Sequence, residues 1–72
     1  MNDADVQFLE DMIVHHGAAL KMARDYLAAS QPATRQARVA DLARNVISAQ
    51  TAEIATMRGW LRSAGKSAGM SM

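Results

Sequence analysis

Cysteine is absent from the 72-residue chain, so neither a disulfide nor a thiolate metal site can stabilise the fold. Proline occurs once, glycine four times, and aromatic residues make up only 4% of the sequence. Because helix-breaking residues are scarce and alanine occurs 15 times, the composition favours helix over strand. No apolar run approaches the ~20 residues of a membrane-spanning helix. A net charge of +1 gives no electrostatic reason to expect nucleic acid or an anionic membrane as a partner.

The residue sets of common catalytic sites are also missing. The chain has no cysteine nucleophile, no glycine-rich phosphate loop and no His-x-x-x-His spacing of a zinc protease. We therefore expect a protein that is not an enzyme. The N-terminal segment is acidic and lacks an apolar core, so we expect that a signal peptide is absent or has been removed.

A first helix is predicted in the N-terminal half of the chain. Asn2, Asp3 and Asp5 are candidates for its N-cap, because short polar side chains accept hydrogen bonds from the first free backbone N–H groups. The segment Ser30-Gln31-Pro32 should end this helix near Ala29, because proline cannot continue the hydrogen-bond ladder and restricts the residue before it.

A second helix is predicted after the break. Thr34 is the expected N-cap, and the helix should run to about Ala64 and stop at Gly65. Residues 1–65 then form a single helical hairpin domain, since a short loop joins two long helices. Residues 66–72 have no hydrophobic periodicity and are expected to form a flexible, methionine-containing tail.

Each predicted helix carries a wide apolar face. On the first helix this face contains Phe8, Leu9, Met12, Ile13, His15, His16, Ala19, Leu20, Met22, Ala23, Tyr26 and Leu27. On the second it contains Val39, Leu42, Ala43, Val46, Ile47, Gln50, Glu53, Ile54, Met57, Trp60 and Leu61. Both faces span nearly half of the helix circumference, so each helix needs more than one neighbour. We therefore predict an all-α fold, an antiparallel two-helix hairpin that forms a four-helix bundle as a homodimer or higher homo-oligomer.

Polar and sulfur-bearing side chains interrupt both apolar faces at one level of the hairpin. If the chain reverses around residues 31–33, facing residues have numbers that sum to roughly 64–68. This register brings together Met12, His15, His16, Gln50, Glu53 and Met57. Burying such groups costs several kcal/mol unless they find partners, so the convergence indicates either a hydrogen-bond network or a binding site.

Three interpretations of this cluster remain open. The histidines could bond to Glu53 and Gln50 in a network that fixes the helix register without any metal. Imidazole and thioether groups together suit copper, and Met12 and His16 share a helix face at i, i+4. Zinc is a further possibility, held by two histidines and Glu53.

Two restrictions follow from helix geometry and from the residues available. His15 and His16 point ~100° apart, so within one chain they should not bind the same ion, although a dimer could use them at two sites. A di-iron carboxylate centre is excluded, because Glu53 is the only carboxylate expected on the buried faces.

Two segments of the sequence resemble the DUF305 family. They are residues 8–23, FLEDMIVHHGAALKMA, and residues 42–61, LARNVISAQTAEIATMRGWL. The family pattern reads F-L-x-x-M-I-x-H-H-x-x-A-x-x-M-A, then L-A-x-x-I-x-x-x-Q-x-x-E-I-x-x-M-x-x-W-L, and the resemblance covers both predicted helices. Val46 replaces the isoleucine of the pattern. Val14 and Gly17 stand where many members have proline and glutamine, and both lie on the outer face.

The resemblance implies a ferritin-like helical bundle and a link to copper. Many members are exported bacterial proteins, and some are linked to copper binding and tolerance, which implies a periplasmic or secreted location. We expect a non-enzymatic copper-binding protein that buffers copper or confers tolerance, with the oxidation state open. The alternative is a structural or protein-interaction module with a buried His/Glu/Gln network. The implied metal ligands are Met12, His15, His16, Met22, Glu53 and Met57. In the tail, Met70 and Met72 either bind Cu(I) weakly or have no role.

Overall fold

Two helices form an antiparallel hairpin in the computed structural model, which describes residues 1–66. Helix α1 spans Asp3–Ala29 and helix α2 spans Ala37–Ser63. Each has 27 residues and is therefore ~40 Å long. The described residues contain no strand, which confirms the predicted all-α hairpin. Neither helix in residues 1–66 combines the length and the apolar character needed to cross a membrane.

Helix α1 begins at one of the three predicted caps. The backbone N–H of Asp5 donates to Oδ1 of Asn2 at 2.8 Å, and the backbone N–H of Asn2 donates to Oδ2 of Asp5 at 3.1 Å. This reciprocal capping box satisfies two N–H groups that the helix itself leaves free. Helix α1 ends as predicted at Ala29, and the N–H of Ser30 donates to the carbonyl oxygen of Tyr26 at 2.9 Å.

Helix α2 begins two residues later than the sequence predicts. The backbone N–H of Thr34 donates to the carbonyl oxygen of Gln31 at 3.0 Å, and its hydroxyl lies 3.5 Å from the same oxygen. Thr34 therefore belongs to the turn that follows Pro32. Gln36 is the N-cap and makes no side-chain capping bond. The prediction that Thr34 caps α2 is wrong, because the turn uses its hydrogen-bonding groups.

The end of α2 agrees with the prediction. The helix stops at Ser63, and Gly65 has a φ of +80°, a left-handed conformation that glycine adopts without the strain of a Cβ atom. The N–H of Lys66 then donates to the carbonyl oxygen of Leu61 at 2.7 Å. The predicted tail, apart from Lys66, lies outside the described residues, as do Met70 and Met72.

The hairpin buries only part of each apolar face. Five large side chains form the core between the helices, namely Leu9, Ile13, Ile54, Met57 and Leu61. Seven large hydrophobic side chains are exposed, namely Met1, Phe8, Val14, Met22, Val39, Leu42 and Trp60. Since exposed large apolar groups outnumber the buried ones, a single hairpin does not cover its own apolar surface.

Candidate metal site

Two apolar grooves run along one side of the hairpin, which we call the open face. The end groove, near the chain ends, has a volume of about 340 Å³ and is lined by Phe8, Leu9, Met12, His16, Glu53, Thr56, Met57 and Trp60. The loop groove has a volume of about 290 Å³ and is lined by Ala19, Met22, Ala23, Tyr26, Val39, Leu42, Ala43 and Val46. Both grooves lie on the same side of the hairpin, because the residues that line them recur at three- and four-residue intervals along each helix.

The end groove contains an imidazole–carboxylate pair that links the helices. His16 is buried, with 6% of its surface exposed, and its Nε2 lies 2.5 Å from Oε1 of Glu53. Met12 lies one turn before His16 on α1, and Met57 lies one turn after Glu53 on α2. Two i, i+4 pairs thus face each other across the helix contact. His16 and Glu53 therefore lie together, one position beyond the facing pairs that the sequence predicts.

The burial of this pair is uneven. The side chain of Glu53 is 59% exposed, whereas that of His16 is 7% exposed. The expectation of a buried Glu53 is therefore wrong for the single hairpin, because Glu53 lies at the rim of a face that α1 only partly covers. Gln50 is half-buried and does not line the end groove.

The second ring nitrogen of His16 has an unusual environment. Nδ1 is buried and has no hydrogen-bond partner within residues 1–66. A metal-binding histidine commonly coordinates through one nitrogen while the other donates to a carboxylate. His16 has the carboxylate on one side and a free nitrogen on the other. With the two thioethers nearby, this donor set is compatible with copper.

The other two predicted ligands lie apart from this cluster. His15 is exposed, with its ring centroid 6.1 Å from that of His16 in an edge-on arrangement. Met22 is 72% exposed and lines the loop groove. One hairpin therefore brings together Met12, His16, Glu53 and Met57, but not His15 or Met22. Within residues 1–66, no group of three or more His, Cys, Asp or Glu side chains is arranged to hold a metal ion.

The opposite side of the hairpin has a further groove of about 580 Å³, lined by both apolar and charged side chains. It carries the Lys21–Asp25 ion pair, with 2.6 Å between Nζ and Oδ2. The hydrogen bond and the negative charge of Asp25 raise the pKa of Lys21 above its ordinary value. Val14 and Gly17 are exposed, as expected for outer positions, and open space surrounds the place where a Cβ of Gly17 would lie. None of these groups faces the end groove.

Sequence reasoning missed two residues that shape the hairpin and its groove. The Arg35 guanidinium donates to the carbonyl oxygens of Leu27 at 3.2 Å and Ser30 at 2.8 Å, which satisfies the free C-terminal end of α1. Thr56 lines the end groove, but its hydroxyl donates to the carbonyl oxygen of Ala52 at 3.1 Å. A basic residue shortly after a helix end was the only available signal for Arg35.

The fold and the site together define a small helical hairpin with a Met/His/Glu cluster on a partly uncovered apolar face. The sequence profile of the family described as "Domain of unknown function (DUF305)" matches residues 5–72, and the chain belongs to this family. No curated protein sequence and no solved structure matches the chain.

Proposed function

We propose that the protein binds copper without catalysing a reaction, and that it buffers copper or confers copper tolerance outside the cytoplasm. The observation that supports this function is the end groove, where two thioethers, an imidazole and a carboxylate converge from both helices. Thioether sulfur selects Cu(I), and imidazole accepts either oxidation state of copper. The export and tolerance roles follow from the family resemblance rather than from the groove.

Each residue of the groove has a distinct role in this proposal. His16 would bind through its imidazole while Glu53 fixes the orientation of the ring through the 2.5 Å contact to Nε2. Met12 and Met57 would supply soft sulfur ligands. The core residue Leu9 lines the groove beside them and limits access of water. Bound copper would add the electrostatic and coordination energy that a hairpin with so small a core lacks.

A structural or protein-interaction role is the second candidate. The close His16–Glu53 pair favours it, because Nε2 of the buried imidazole already has a partner without any metal. In this case the pair holds the helices in register, and copper has no effect on the fold. Zinc binding by His16 and Glu53 would leave Met12 and Met57 without a function.

We also infer that the hairpin forms a homodimer with four helices. Phe8, Met22, Val39, Leu42 and Trp60 are exposed and line the two grooves of the open face. Soluble monomers rarely expose such a contiguous apolar surface, and a second hairpin would cover it.

Thermal unfolding with and without copper separates the two functions. A ligand that binds only the folded protein stabilises it by about 2.7 kcal/mol at 100 times its dissociation constant. Copper binding therefore predicts a rise in Tm that grows with copper concentration, with a smaller rise for zinc. An unchanged Tm with copper would favour the structural role.

A further inference from the structure

The two grooves of the open face differ in shape. Phe8 and Trp60 stand out from the end groove, where they are 61% and 55% exposed. The loop groove instead contains three alanines, Ala19, Ala23 and Ala43, and two of them are buried. One half of the open face thus carries two projecting aromatic side chains, and the other half carries a groove with three alanines whose lining also includes the exposed Met22 and Leu42. Such surfaces pack well when large groups enter the gaps between small ones.

The charges of the hairpin are divided in the same way. In the half with the chain ends, carboxylates outnumber cations: Asp3, Asp5, Glu10, Asp11 and Glu53 against Arg58, Arg62 and Lys66. In the half with the loop, cations outnumber carboxylates: Lys21, Arg24, Arg35, Arg38 and Arg44 against Asp25 and Asp41. One end of the hairpin is therefore net negative and the other is net positive.

We propose that two copies of this chain pair antiparallel through their open faces, and that Met22 of each copy completes the metal site in the end groove of the other. The axis is perpendicular to the helices, so the end groove of each copy meets the loop groove of the other. Phe8 and Trp60 then enter the loop groove, and each negative end meets a positive one. A parallel pair would set bulky groups against each other and bring like charges together.

The position of the axis follows from the helix lengths. Thirteen residues of α1 lie on either side of His16, and thirteen residues of α2 lie on either side of Gln50. The middle of both helices is therefore at the level of His16 and Gln50. When two antiparallel hairpins overlap along their full length, this level coincides with the two-fold axis. The His16–Glu53 pairs of the two copies then meet at the centre of the interface.

This arrangement completes a site that a single hairpin leaves incomplete. One copy brings one imidazole, one carboxylate and two thioethers to its end groove. The partner subunit's Met22 adds a third thioether. In the antiparallel pair, Met22 of the partner subunit lies ~3 Å from the level of Met12 along the bundle axis, given a rise of 1.5 Å per residue. The metal part of this inference depends on the proposed copper function, but the pairing does not.

Spin labels on single engineered cysteines test the pairing directly, because the chain has no cysteine of its own. Ser48→Cys and Arg62→Cys place labels at exposed positions of α2 outside both grooves. In the antiparallel pair, the Arg62 positions lie roughly 36 Å apart along the bundle axis and the Ser48 positions about 6 Å apart. Pulsed dipolar spectroscopy should therefore give a much longer distance for Arg62→Cys. Equal distances at the two positions, or no dipolar coupling at either, would overturn the pairing.

Copper titration then tests whether Met22 of the partner subunit completes the site. Titration of Cu(I) under anaerobic conditions should saturate at one ion per chain, and copper should tighten the dimer by reciprocal linkage. The same Cu(I) affinity in the wild-type chain and in Met22→Leu, or in a variant that remains monomeric, would overturn the contribution of Met22 and leave the copper function standing. An absence of copper binding, with antiparallel distances intact, would overturn the copper function and the contribution of Met22 but not the pairing.

Discussion

His16 and Glu53 form the one hydrogen bond between α1 and α2 side chains within residues 1–66, with 2.5 Å between Nε2 and Oε1. Its two ends differ, because the imidazole is buried while the carboxylate is more than half exposed. The carboxylate lies in the lining of the end groove, whereas Nδ1 of the imidazole is buried and has no partner within residues 1–66. Replacing Glu53 therefore tests whether the pair also takes part in copper binding.

Replacing Glu53 with glutamine should weaken copper binding. The amide can still contact His16, but it no longer supplies the negative charge that makes the imidazole a better ligand. Loss of such an outer carboxylate lowers metal affinity roughly 10- to 100-fold. Glu10→Gln is the matched control, since Glu10 lies on α1 and does not line the end groove. Isothermal titration of both variants with copper checks this, and equal affinities would remove Glu53 from the site.

The thioethers should matter for Cu(I) and not for folding. Met12→Leu and Met57→Leu conserve side-chain volume and should each change stability by less than about 1.5 kcal/mol. Each should weaken Cu(I) binding by on the order of tenfold or more, because a soft ligand is lost. The control is the double variant Met70→Leu/Met72→Leu, which makes the same chemical change in the predicted tail. If the control weakens binding and the two groove variants do not, the tail holds the copper.

A charge on the open face should separate the dimer. Leu42 and Val14 are 62% and 73% exposed in the hairpin, so Leu42→Glu and Val14→Glu should affect a monomer equally, by about 0.5 kcal/mol or less. In a dimer, only Leu42→Glu buries an unpaired charge, which should weaken association roughly 100-fold or more. Sedimentation equilibrium at several concentrations measures this difference. The same association constant for both variants would rule out the open face as the interface.

Helix formation could be predicted from the sequence, since the apolar periodicity, the single proline and Gly65 were sufficient to place both helices. The His16–Glu53 level also followed, because two long helices joined by a short loop have little freedom of register. The start of α2 could not be predicted, since Thr34 uses its hydrogen-bonding groups within the turn. The exposure of Glu53 and Met22 also could not be predicted. A helical projection gives the direction of a side chain, but not how much of a wide face one neighbour covers.

Arg35 should stabilise the hairpin more than its position in a loop suggests. Arg35→Met keeps much of the aliphatic stem but removes two charge-assisted hydrogen bonds to the end of α1. Since hydrogen bonds to charged groups contribute about 1.5–3 kcal/mol, the free energy of unfolding should fall by roughly that amount. Arg38→Met, at an exposed position at the start of α2, should have little effect. Urea unfolding at one fixed protein concentration compares the two, and equal losses would show that the carbonyl contacts do not contribute.

The most direct test of the proposed copper site is a competition titration against a copper chelator. The wild-type chain is compared with the double variant Met12→Leu/His16→Gln, whose fold is checked by circular dichroism. Glutamine keeps a group that can bond to Glu53, so the variant separates metal binding from the helix link. Copper binding in the end groove predicts that the double variant loses copper at a chelator concentration at least 100-fold lower than the wild type does. Equal copper affinity in the two proteins, both folded, would contradict the end groove as the metal site.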